Sequence, residues 1–105
     1  MMASDLTGNL RQMIAVLERE RQALASLDAD ELTCSAREKA GLCDLLADVR
    51  PDALDNEARG LAETARQLNE VNRRVRNLLA ANVAARIDAL SGVTGQLHQA
   101  SFAHA

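Results

Sequence analysis

Apolar residues recur over the first 27 positions at alternating steps of four and three: Leu6, Leu10, Met13, Leu17, Leu24 and Leu27. Glu20 occupies the one position that breaks the series. Steps of this kind align side chains along one stripe of an α-helix, as narrow as a coiled-coil seam. The pattern predicts a first helix over about 5–27, capped by Ser4 or Asp5. Ile14 and Val16 widen the stripe on its two flanks, which suits a bundle better than a bare two-stranded coil.

Asp28-Ala29-Asp30-Glu31 interrupts the seam, and Asp28 followed three residues later by Glu31 has the form of a capping box. A second helix over about 30–49 follows, with Leu32, Ala36, Leu42, Leu45, Leu46 and Val49 as its apolar positions and Lys39 near their edge. One continuous helix with a local irregularity at Asp28 is the alternative. Gly41 weakens the segment by roughly 1 kcal/mol against alanine. Arg50-Pro51-Asp52 then marks a boundary, because the residue before proline leaves the helical region while proline is accommodated at a first helical position. A third helix follows over about 52–90, interrupted only by Gly60. Beyond Leu90 the text SGVTGQLHQASFAHA loses its period and predicts a mobile tail over 91–105, in which Val93, Leu97 and Phe102 are the side chains able to pack if it orders.

The expected fold is all-α: one domain over 1–105, an elongated antiparallel helical hairpin or bundle of three helices with a mobile C-terminal tail. The long first and third helices are expected to run antiparallel, with the shorter second between them.

Composition sharpens this picture. Hydrophobic residues make up 48% and aromatics 1%, so the core has to be built from Leu, Val, Ile, Met and Ala, a mixture that favours helices. A net charge of -3 does not draw the molecule towards phosphate backbones, and there are no aromatic platforms for single-stranded bases. No apolar segment approaches the roughly 20 residues that cross a bilayer. A cytoplasmic protein without membrane insertion and without nucleic-acid partners is expected. Cys34 and Cys43, nine residues apart, point to opposite sides of one helix, so neither a disulfide between them nor a zinc site is expected. His98 and His104 lie in the tail and no phosphate-binding glycine loop occurs, so neither catalysis nor a cofactor or metal is expected.

The stretch LNEVNRRVRNLL over 68–79 carries the remaining signal. Leu61, Leu68, Val71, Val75, Leu78 and Leu79 form one broad face, and Asn72, Asn82 and Arg86 project into it. Polar groups in such a stripe mark incomplete burial, set the register of a helix pairing, or lie at the rim of a bundle. Arg73, Arg74 and Arg76 are assigned to the opposite, solvated side with Glu70 and Asn77.

The order of these segments resembles the FlgN family of flagellar export chaperones: a leucine-rich first helix (MIAVLERERQAL), an acidic interruption (SLDADEL), a lysine ahead of leucines (REKAGLCDLL), and a long asparagine-containing helix (LNEVNRRVRNLLAANVAARIDALSG). The resemblance spans almost the whole chain. It implies a cytosolic chaperone that binds helical C-terminal segments of hook–filament junction proteins, prevents their early assembly and delivers them to the flagellar export apparatus. By that likeness the partner-binding residues are Leu68, Asn69, Asn72, Val75, Leu79, Asn82, Arg86, Ile87 and Leu90. The tail SFAHA departs from the tyrosine- and glycine-containing ending common in that family. The alternative is a self-associating coiled-coil protein, a homodimer whose exposed groove is filled by a second copy.

Overall fold

The computed structural model describes the backbone of residues 2–103 and the side chains of residues 5–92. Three α-helices appear in chain order: α1 over Met2–Ser26, α2 over Ala29–Leu46 and α3 over Asn56–Ala103, with a short 3-10 turn at Pro51–Ala53. No strand occurs among the described residues. The fold is all-α, as the periodicity requires.

The junction between α1 and α2 is built from two caps that share one residue. Leu27 adopts the left-handed conformation with φ 55. Its N–H bonds the Leu24 carbonyl at 3.3 Å, and the Asp28 N–H bonds the Ala23 carbonyl at 2.9 Å, so α1 ends in a Schellman motif. Asp28 is also the N-cap of α2, its carboxylate accepting from the Glu31 N–H at 3.1 Å. Only half of the expected capping box forms. The Asp28 N–H is already committed to α1, and the Glu31 carboxylate turns to Ser35 and Arg19 instead.

Several boundaries differ from the sequence reading. Helix α1 starts at Met2, which puts Asp5 in its first turn rather than at its cap. The extended Arg50 (φ -83, ψ 137) leads into the Pro51–Ala53 turn, and α3 begins only at Asn56. Its N-cap is Asp55, whose carboxylate accepts from the Ala58 N–H at 2.8 Å. Ser91 and Gly92 continue α3 past Leu90, and the helix runs to Ala103. The packing expected of Val93, Leu97 and Phe102, the placement of His98 and His104, and the mobility expected of the tail beyond Gly92 fall outside the described side chains.

The chain divides into two compact units, Met1–Arg74 and Val75–Ala105. The first is a three-helix bundle made of α1, α2 and the opening turns of α3. Its core joins Met13, Val16 and Leu17 of α1, Leu42 of α2 and Ala65 of α3, with Ile14, Leu46 and Leu68 packed against them. On α1 the buried positions are Leu10, Met13, Val16, Leu17, Glu20, Ala23 and Leu24, so the seam predicted from sequence is the buried one up to the last turn. Leu27, its expected last member, is exposed because the left-handed residue turns the chain away.

Of the stripe expected for the second helix, Leu42 is buried and Leu32, Leu46 and Val49 are half-buried. Ser35 and Leu42 are buried, Lys39 and Leu46 half-buried, while Ala36 and Leu45 face solvent. The steps 35, 39, 42 and 46 are again four, three and four.

Directions follow from the residues that meet. Met13 shares the core with Leu42 and Glu20 pairs with Lys39, so numbers fall along α2 as they rise along α1, and the two helices are antiparallel. Arg11 of α1 pairs with Glu57 and Leu17 with Asn72, so numbers rise together and α1 and α3 run parallel. This overturns the expected antiparallel arrangement of the first and third helices. Each short connection reverses the chain, and two reversals restore its direction.

The second unit, Val75–Ala105, consists of the continuation of α3. None of the helices is long and apolar enough to cross a membrane among the described residues.

Candidate functional site

The nine residues expected to bind a partner divide between the two units, and the structure gives them different roles. Leu68 packs against the bundle core. Asn69 is exposed, and its Oδ1 accepts from Lys39 Nζ at 3.3 Å. Asn72 is fully buried and donates from Nδ2 to the Leu17 carbonyl at 2.8 Å and to Glu20 Oε1 at 2.9 Å. Both partners only accept, which fixes the orientation of the amide and leaves its Oδ1 buried without a hydrogen bond. Asn72 is therefore withdrawn from any partner and ties α3 to α1.

Lys39 completes this knot. Its ammonium donates to both Glu20 oxygens, at 3.3 and 3.0 Å, and to Asn69, so one side chain from α2 bridges α1 and α3. In the sequence Glu20 and Asn72 each look like an isolated interruption of an apolar seam, and Lys39 lies near the edge of one. In the fold the three meet at one level, where Glu20 accepts from both Lys39 and Asn72. Glu20 is a carboxylate buried to 3% exposure. The signal available was that a polar residue breaks the apolar stripe on both α1 and α3.

The remaining expected residues, Val75, Leu79, Asn82, Arg86, Ile87 and Leu90, lie in the second unit. Val75 and Leu79 are half-buried, and every residue from 80 to 92 is exposed. Leu78, Val83, Ile87 and Leu90 present large apolar side chains to solvent at 71%, 55%, 56% and 69% exposure. At 100° per residue they share one broad face with Val75 and Leu79. Isolated exposed apolar residues are ordinary on protein surfaces, but a run sustained over four turns is what a docking face presents. Leu78 and Val83 belong to it although neither was among the expected site residues; their helical spacing was the sign.

Charge is unevenly placed on this segment. Arg86 projects into the middle of the apolar face, between the directions of Val75 and Leu79. Arg76 does not join Arg73 and Arg74 on the back, as the sequence reading has it, because Val83 and Ile87 lie seven and eleven residues beyond it, on nearly the same line along the helix. Asp88, nine residues after Leu79, points the opposite way. Arg73 and Arg74 are engaged with Glu70 on the exposed back of the bundle, the Arg73–Glu70 contact being 2.6 Å. That contact lowers the Glu70 carboxyl from its ordinary range and raises the guanidinium.

Other surfaces offer less chemistry. A shallow depression beside the α1–α2 turn is lined by Arg19, Gln22, Asp28 and Glu31, and Arg19 is held there by Glu31 and Glu38. Cys34 and Cys43 are free and exposed, and no cluster of metal-ligating side chains occurs among the described residues. Comparison with protein-family models, with curated proteins and with solved structures gives no match to this chain.

Proposed function

We propose that the protein is a cytoplasmic helix-binding chaperone of the kind the FlgN resemblance implies. In this reading it holds helical C-terminal segments of hook–filament junction subunits unassembled and passes them to the flagellar export apparatus. The observation that carries the reading is the apolar face of α3 between Val75 and Leu90, whose large side chains remain exposed over four turns. An amphipathic helix laid along it would place its own anchors at one-turn intervals. Covering each large apolar side chain is worth about 1.5–3 kcal/mol, so a helix that covers four of them offsets the several kcal/mol that association costs.

Such a chaperone needs no nucleotide. Binding the unassembled subunit more tightly than the assembled one shifts the population by mass action, and docking at the export apparatus releases it. The test is to mix the protein with a hook–filament junction subunit and follow co-elution and subunit assembly. A stoichiometric complex that delays assembly supports the reading. Unchanged assembly with no complex refutes it.

A further inference from the structure

Resting on that docking reading, we infer that without a client the apolar face of α3 is covered by a second copy of this chain, docked antiparallel about a two-fold axis between Val83 and Ile87. Ala80, Val83, Ile87 and Leu90 fall on steps of three, four and three, and all four are exposed. That spacing reads the same in both directions, so a reversed copy meets it position for position, as a two-fold contact between identical patches requires. Ala80 then faces the partner's Leu90, and Val83 faces the partner's Ile87. Each smaller side chain opposes a larger one, the alternation that lets two layers interdigitate. A parallel copy would set Ala80 against the partner's Ala80 and Leu90 against the partner's Leu90, which leaves a gap at one end and crowds the other.

None of the four seam residues is charged. Arg86 lies to one side of their line, and the two-fold axis brings the two copies of Arg86 to the same flank of the contact. Their repulsion acts at a solvated edge, so it weakens the pair without forbidding it. The large side chains, three from each copy, cover on the order of 500 Å² of apolar surface. That is less than the roughly 1,200 Å² at which stable interfaces begin. The pair is therefore weak, and mass action lets a client helix replace the second copy.

Sedimentation velocity on the full chain tests this with two variants at exposed positions, Val83→Lys and Ile87→Glu. The parent should form a dimer whose share rises with concentration, and a hook–filament junction C-terminal segment should dissolve it. Each variant alone should associate at least about tenfold more weakly. Mixed in equal amounts the two should pair again, because the antiparallel contact sets the introduced lysine against the introduced glutamate and a parallel contact does not. Arg86→Gln should tighten the parent pair about threefold, a gain that shrinks as salt is raised. A parent that stays monomeric while binding the client segment would overturn the second copy and leave the docking reading standing. A dimer that both variants weaken and no client segment disturbs would overturn the docking reading and leave the pair standing. A dimer that neither variant weakens, or a mixture that fails to pair, would overturn the antiparallel contact.

Discussion

Asn72 of α3 donates a 2.9 Å hydrogen bond to Glu20 of α1, and the two are 0% and 3% exposed. A polar contact this deep in a small aliphatic bundle fixes register, because sliding α3 by one turn would bury both groups without partners. Lys39 extends the same lock to α2. Asn72→Ala should lower unfolding stability by about 2–3 kcal/mol in a urea titration, from lost hydrogen bonds and an unfilled site. Asn72→Asp should cost more, since an acceptor would face the Leu17 carbonyl and the Glu20 carboxylate. Asn82→Ala, on the exposed face, should change stability by no more than about 0.5 kcal/mol.

The α1–α2 turn makes a pair of opposite predictions. Leu27 holds a left-handed conformation that glycine adopts at no steric cost, so Leu27→Gly should stabilise the protein by about 1 kcal/mol. Asp28→Ala removes the α2 cap and should destabilise by about 1 kcal/mol. Thermal melts of the two variants should move in opposite directions.

Gly41 of α2 and Gly60 of α3 lie inside helices with no neighbour packed against them. A Cβ added at Gly41 or Gly60 meets nothing within 4 Å, so neither glycine is there to make room for a neighbour. Gly41→Ala and Gly60→Ala should each add about 1 kcal/mol and raise the melting temperature.

The seam of α1 and the break at proline were legible because leucine periodicity and proline chemistry are local. Which residues of α2 face the bundle was not, because Ser35 and Lys39 hold seam positions that a hydrophobic count passes over. Glu20 and Asn72 were each visible as an interruption, but their meeting with each other and with Lys39 depends on how far each helix slides against the next, which no single segment encodes. The parallel course of α1 and α3 follows from counting two short reversals. For the docking face, the apolar spacing from Val75 to Leu90 was readable, whereas the withdrawal of Asn72 from it needed the bundle.

Acid should weaken the ion pairs on the back of α3. Hydrogen bonds from Arg66 and Arg73 hold the Glu63 and Glu70 carboxyls below their ordinary range. A carboxylate whose pKa is lowered on folding contributes stability that is present above the unfolded value, about 4.3, and lost as pH falls through the folded one. The pairs are exposed, so the effect is small and fades with salt. A Glu63→Gln/Glu70→Gln variant should be slightly less stable than the parent at pH 7, and the difference should close as pH falls below the ordinary carboxylate range.

Calorimetric titration of a hook–filament junction C-terminal segment into the protein and into a Val83→Asp/Ile87→Asp variant shows whether the proposed Val75–Leu90 face holds a client helix. Both substituted positions are exposed, so the unfolding curves should superimpose. The account predicts saturable binding by the parent and at least about a tenfold weaker response from the variant. Equal binding by the two proteins would place the client elsewhere and contradict it.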